Sequence, residues 1–203
     1  MRAPEWWQRV RVVAARSWQD RRLFLGAVTL LALGLRLARL TFQPLWWDEG
    51  WSLYFASSDL PGLMAQTAVD IHPPFYYLLL HGWMAAFGSG VVSIRLLSVL
   101  IGAATVPLIY WVGGRWIGEK GARWAAVLLA VSPFHLYYSQ EVRMYGLVTL
   151  LGLAATGWGL GWPWPSRRQP WVAWVGYVLA ATAALYTQYY AAFLLLALNM
   201  VVG

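Results

Sequence analysis

The chain has 203 residues, 60% of them hydrophobic and only 11% charged, with 15 Lys and Arg against 8 Asp and Glu and no cysteine. Soluble domains carry about 25% charged residues, so there are too few charges here to cover a water-facing surface, and an ordinary soluble globule is excluded. The missing thiols rule out a disulfide framework or a thiolate metal site. The net charge of +7 is read as a set of topology determinants, with no nucleic-acid partner expected.

The first 22 residues hold Arg2, Arg9, Arg11, Arg16, Arg21 and Arg22 against Glu5 and Asp20. An apolar run over 23–35 follows and resumes through Leu37, Ala38 and Leu40. A signal peptide cleaved near Ala32-Leu33-Gly34 is the rival account. The continued apolar character favours a retained span over about 23–42 with its basic flank in the cytoplasm. Residues 43–72 contain Asp48, Glu49, Asp59 and Asp70 but no Lys or Arg, and are assigned to the outer face. Residues 73–87 are apolar, yet as a helix they reach only about 22 Å against a hydrocarbon core of about 30 Å. They are therefore placed at the outer interface, which brings the basic segment Arg115, Lys120 and Arg123 to the inner side.

Spans over about 91–113, 122–138, 145–161 and 171–186 follow, and a sixth enters after an outer turn at 187–190. A proline-containing inner loop carries Arg167 and Arg168. On this topology eleven of the 15 cations are cytoplasmic. The other four, Arg36, Arg39, Arg95 and Arg143, fall at outer span ends or in the outer loop, where arginine can snorkel to the interface. The expected fold is all-α, a polytopic transmembrane helical bundle with interfacial helices in a first outer loop at 43–94. Residues 1–22 form a cytoplasmic N-terminus and 23–203 a membrane domain. The chain stops at Gly203 within an apolar run, as the N-terminal portion of a longer protein would.

Four outer segments could carry chemistry. Trp46-Trp47-Asp48-Glu49-Gly50 sets two adjacent acids beside paired tryptophans, suited to a general base or to a divalent cation such as Mg²⁺ or Mn²⁺. Taken alone, an interfacial aromatic belt with two solvated acids is the plainer account. Asp70-Ile71-His72-Pro73-Pro74-Phe75-Tyr76-Tyr77 holds an acid and an imidazole at a proline-started helix, where the dipole favours an anion; a plain helix start with an interfacial tyrosine pair is the equal alternative. Tyr138, Gln140, Glu141, Arg143 and Tyr145 lie close together between two spans, with an arginine fork suited to phosphate. Glu141 and Arg143 are two apart and do not face one another on a helix. Tyr186-Thr187-Gln188-Tyr189-Tyr190 interrupts an uncharged stretch, either as a bland interfacial turn or as the lining of an acceptor pocket. His81 and His135 are expected to be satisfied helix residues rather than metal ligands.

All four segments, with Arg36, Arg39 and Arg95, converge on one side of the membrane. Their order resembles the polyprenyl-phosphate-dependent glycosyltransferases of the type C (GT-C) fold, over residues 23–203. The motifs are Asp48-Glu49, His72-Pro73-Pro74, Arg95-Leu96-Leu97-Ser98, Ser139-Gln140-Glu141-Val142-Arg143-Met144-Tyr145 and Tyr186-Thr187-Gln188-Tyr189-Tyr190. They are similar to the bacterial protein O-mannosyltransferase-like family, which includes aminoarabinose lipid A transferases and galacturonosyltransferases. The resemblance implies a multi-pass enzyme of the cell membrane with its active site on the outer face. It would move a sugar from a polyprenyl-phosphate donor to a protein, lipid or glycan acceptor, with inversion.

The resemblance further implies that Asp48 is the base with Glu49 beside it, and that His72, Arg95, Arg143 and Arg36 lie near the donor phosphate. Asp70, Tyr138, Gln140, Glu141, Tyr145, Gln188 and Tyr189 fall to substrate binding. Some relatives carry lysine where this chain has His72, so phosphate contact there depends on its protonation. The resemblance leaves metal dependence open: much of the family works without a cation, while Asp48 and Glu49 are compatible with Mg²⁺ or Mn²⁺. A retaining mechanism ranks behind, because its two carboxylates face each other across the sugar and these are adjacent. The other classes open to the sequence are a transporter or lipid-flipping component, and a non-catalytic assembly subunit. Uncharged span interiors and the lack of an internal repeat count against a transporter.

Overall fold

A computed structural model describes residues 20–160 and 170–202. The expectations for residues 1–19, for the loop carrying Arg167 and Arg168, and for Gly203 lie outside the described residues. Among the described residues the chain is all-α, with ten helices and no strand. They are α1 (Arg21–Leu37), α2 (Trp47–Ser57), α3 (Leu60–Ala68), α4 (Phe75–Phe87), α5 (Val91–Trp116), α6 (Gly118–Val131), α7 (Pro133–Ser139), α8 (Tyr145–Gly159), α9 (Pro170–Leu185) and α10 (Ala191–Val202).

The long helix α5 is the hub, packing against α1, α4, α6, α7 and α8. It is the one helix among the described residues that is both long and apolar enough to cross a membrane, while Trp171–Leu185 and Ala191–Met200 are apolar but shorter. Three apolar clusters hold the bundle. Phe24, Val28 and Ala32 of α1 recur every fourth residue and meet Ala122, Ala126 and Ala130 of α6, with Val106 and Tyr110 of α5 between them. Small side chains at that spacing let helix backbones approach closely, as membrane helix pairs require. Phe55, Leu63, Tyr76, Tyr77, Leu80, Ile94, Val142 and Met144 fasten α2, α3 and α4 to the upper part of α5. Ala155, Ala180, Ala181 and Leu195 join α8, α9 and α10.

Two spans differ from expectation at their ends. The first helix stops at Leu37 rather than near residue 42, because Arg39 takes a left-handed φ of 58° and turns the chain. The helix expected over 122–138 is two helices, α6 and α7, broken at Ser132-Pro133. Pro133 has no N–H to return to the Leu129 carbonyl, and the Ser132 side chain caps the new start by accepting from the His135 N–H.

Arg36 mends the break. Its Nη1 donates to the Ala130 and Ala32 carbonyls at 3.3 and 2.9 Å, and its Nη2 to the Leu129 carbonyl at 3.4 Å and to His135 Nδ1 at 2.7 Å. Arg36 is fully buried, so it does not snorkel to an interface; its guanidinium serves as a C-cap for a neighbouring helix.

This arrangement needs a glycine at position 102. A Cβ there would overlap the Ser139 hydroxyl and lie 3.1 Å from Arg36 Nε, while a Cβ at Gly26 would meet nothing within 4 Å. Gly102→Ala is therefore expected to cost about 1–3 kcal/mol through overpacking. Gly26→Ala, also within a helix, should raise stability by up to about 1 kcal/mol through propensity. Thermal unfolding of both variants in detergent micelles checks the pair; equal midpoints would remove the steric role assigned to Gly102.

Candidate active site

The site is assembled by a buried ion pair. Glu49, in the first turn of α2, is fully buried, and Arg95 of α5 retains 4% exposure. Arg95 grips the carboxylate with both arms of its fork, Nε to Oε1 at 3.0 Å and Nη2 to Oε2 at 2.7 Å. The Val142 N–H adds a bond to Oε1 at 3.0 Å and the Trp46 N–H one to Oε2 at 3.3 Å. The rest of the Arg95 fork reaches the carbonyls of Leu40, Gln43 and Pro44 at 2.7, 2.9 and 3.3 Å. All five donors of the guanidinium are thereby engaged. One pair thus ties together the linker after α1, the start of α2, the N-terminal half of α5 and the loop after α7.

Helix geometry turns successive residues by about 100°. With Glu49 anchored inward, Asp48 points to the flank, where its side chain keeps 34% exposure and Oδ2 lies 3.8 Å from Arg143 Nη2. Arg143 is 3% exposed. Its Nη1 donates to the Asp48 carbonyl at 3.1 Å and approaches Ser52 Oγ at 3.5 Å, and its Nη2 reaches His72 Nε2 at 3.4 Å. A guanidinium can only donate, so His72 Nε2 accepts and the ring proton sits on Nδ1. From there it is donated to Asp70 Oδ2 at 3.0 Å, and the same oxygen accepts the His72 backbone N–H at 3.1 Å. The result is a connected row, Asp70–His72–Arg143–Asp48.

Two donors on this row have no partner: Arg143 Nε and the buried Tyr77 hydroxyl. Burial pushes the Tyr77 phenol up, so it stays protonated, within the electrostatic reach of Arg143, Asp70 and Asp48. Tyr145 lies beneath the Arg143 guanidinium, 5.7 Å from ring centre to Cζ, and Tyr138 packs edge-on against it at 4.7 Å.

The structure divides the residues singled out in the sequence. Asp48, His72, Asp70, Arg143 and Tyr145 come together. Glu49 and Arg95 stand behind them as a saturated pair, and Arg36 belongs to the α6–α7 break. Gln140 is occupied too, its amide donating to the Arg36 and Ala38 carbonyls at 2.9 Å each. The turn between α9 and α10 meets the site's edge through the Tyr186 carbonyl, which accepts from Phe75 N–H at 2.9 Å. Tyr189 is 58% exposed, and no contact brings it or Gln188 into the row.

Asp48 and Glu49 do not offer a divalent cation two free carboxylates, because both Glu49 oxygens are bound. Among the described residues no three acids or histidines form a metal-sized group. Ser52 is not singled out in the sequence, although it stands one helical turn after Asp48, and Tyr77 is read there only as one of an interfacial tyrosine pair.

Removing one member of the buried pair leaves the other charge stranded. Glu49→Gln is expected to cost about 3–5 kcal/mol, visible as a depressed unfolding midpoint. An unchanged midpoint would contradict the anchoring role. Glu141 gives a pH signature. Burial raises its carboxyl above the ordinary 4.5, so the folded chain holds that proton more tightly than the unfolded chain. Its contribution is complete below 4.5 and is lost as pH climbs through the raised value. Glu141→Gln should flatten this decline and become relatively more stable toward neutral pH, measured by unfolding midpoints across a pH series.

Comparisons place this geometry in a family. Residues 71–202 match the family model described as dolichyl-phosphate-mannose-protein mannosyltransferase, a span that includes His72, Arg95 and Arg143 and begins after Asp48 and Glu49. No curated protein matches the chain, and no solved structure does. The matched span covers well over half of the sequence, and the type C resemblance read from the motif order agrees with it. The chain belongs to the dolichyl-phosphate-mannose-protein mannosyltransferase family, integral membrane glycosyltransferases that use polyprenyl-phosphate-linked sugars.

Proposed function

We propose that this chain carries the catalytic centre of a membrane glycosyltransferase that moves a sugar from a polyprenyl-phosphate donor to an acceptor hydroxyl on the outer face, with inversion. The acceptor is a protein, lipid or glycan. The observation that carries this reading is the pairing of a part-exposed carboxylate, Asp48, with a donor-rich arginine, Arg143, at 3.8 Å. A general base and a phosphate anchor are the two parts an in-line displacement from a phosphate ester needs.

In the proposed step the Asp48 carboxylate takes the proton of the acceptor hydroxyl. The acceptor oxygen forms its bond to the anomeric carbon as the bond from that carbon to the phosphate oxygen breaks. The electron pair leaves with the phosphate, from the opposite face of the sugar. Arg143 Nε and the Tyr77 hydroxyl, both without partners, are the donors placed to stabilise the leaving charge, with the His72 ring holding Arg143, and preorganised donors of this kind are commonly the largest catalytic contribution. Phosphate binding competes with Asp48 for Arg143 Nη2, so donor binding would release the base for the acceptor. Asp70 holds the His72 ring in place. Arg95 and Arg36, whose donors face carbonyls and Glu49, act on this reading by positioning rather than by touching phosphate.

The membrane arrangement belongs to the same proposal. Residues 1–22 are cytoplasmic, 23–203 form the multi-pass transferase domain, and α2, α3 and α4 lie along the outer interface. The exposed rings of Trp47, Trp51 and Tyr54 on α2 support that placement, since tryptophan and tyrosine favour the headgroup level.

Asp48→Asn keeps the side chain's size and removes its basicity. Transfer of radiolabelled sugar from a polyprenyl-phosphate donor by membranes should fall by about 10²–10⁴-fold with expression and insertion unchanged. Turnover at the wild-type rate would end the assignment of Asp48 as base, and NMR of the product's anomeric proton decides inversion.

A further inference from the structure

A cavity of about 350 Å³ lies between the end of α1, the linker after it and α7. Glu49 and Arg95 form one wall, and neither Asp48, His72 nor Arg143 lines it. It is thus separated from the proposed reaction site by the saturated ion pair. Its size falls in the range of small-ligand sites, about 300–1,000 Å³. Aromatic rings of Phe42, Trp46 and Tyr137 line it, together with Gln43 and Glu141.

Glu141 is the feature that asks for an occupant. The residue is 5% exposed, and its Oε2 is buried without a hydrogen-bond partner. Buried polar atoms are nearly always bonded, and an unsatisfied one calls for an explanation. Burial favours the uncharged carboxyl, against a hydrogen bond from Tyr137 that favours the charged form, and Oε2 is the position left for an occupant.

The surroundings narrow the ligand's chemistry. Arg95 and Arg39 both line the cavity, so an ammonium group would meet two cations. Arg95 is fully engaged, while the Arg39 guanidinium, stacked 3.7 Å over the Phe42 ring, keeps its N–H edge for a hydroxyl or an anionic substituent. A ring with apolar faces and hydroxyl edges suits this lining of flat aromatic surfaces, one carboxyl, one amide and the Arg39 edge.

We propose that this cavity is a second carbohydrate subsite, in which Glu141 hydrogen-bonds the hydroxyls of a pyranose unit belonging to the acceptor. Its assignment to the acceptor rests on the transferase reading; its affinity for a pyranose does not.

The test is saturation-transfer NMR on the full chain in detergent micelles, with methyl pyranosides of mannose, glucose and galactose as probes. Wild type and Asp48→Asn should both transfer saturation to at least one of the three. Glu141→Gln, which keeps a donor and an acceptor, should retain the signal. Glu141→Leu should weaken binding about tenfold, as loss of a hydrogen bond does. Ala38→Phe, which puts a large ring into the cavity lining, should abolish it with Glu141 left in place. Unfolding midpoints confirm that each variant is folded.

Signal that survives in both Glu141→Leu and Ala38→Phe overturns the subsite, as does its absence for all probes in a wild type that transfers sugar. Pyranoside binding that depends on Glu141, in a chain that transfers nothing, supports the subsite and refutes the transferase reading instead.

Discussion

The Glu49–Arg95 pair is the constraint on which the candidate site and the helices around it depend. Desolvating two charges is costly, and the cost is recovered only when every lone pair and proton finds a partner. Here the partners come from four separate stretches of chain: carbonyls of the linker after α1, the Trp46 N–H at the start of α2, the fork on α5 and the Val142 N–H. Their convergence is what makes the ion pair tolerable, and the ion pair in turn fixes their convergence. Asp48 and Arg143 each sit one residue from an anchored group, so the site inherits its geometry from a pair that does not itself face the open side.

Arginine plays three physical parts in this small domain. Arg36 caps a helix that proline has interrupted, and a glycine on α5 leaves space for it. Arg95 neutralises a buried acid and gathers linker carbonyls. Arg143 keeps an Nε without a partner beside an accessible carboxylate. The distinction is one of unsatisfied valence. A guanidinium with all five donors engaged holds structure together, while one with a donor to spare can bind something that arrives. The same criterion marks Glu141, whose buried oxygen is the acidic counterpart of that spare donor.

Much of this was legible along the chain. The sparse charge and long apolar runs required a helical membrane-type architecture, and the succession of outer motifs from Asp48 to Tyr190 resembled the family that the match over 71–202 identifies. The short apolar stretch before Gly88 was recognisable as a brief helix, and α4 covers Phe75–Phe87. The α6–α7 break was written in Ser132-Pro133 but was overridden in the sequence by continuous apolar character. Hydropathy averages over about a turn or more of helix and is blind to one missing N–H.

What the sequence determined by itself was local and compositional: which segments are helical, which side of a membrane their charges favour, and which ionisable residues are too few to be incidental. Only the tertiary structure decided which of those residues face one another. Asp48 and Glu49 are neighbours with the same chemistry, yet one is enclosed by Arg95 and two backbone amides and the other stands part-exposed beside Arg143. That difference arises from contacts between residues some 46 to 93 positions apart, and no pattern of neighbours along a chain records which distant donor a buried oxygen will meet.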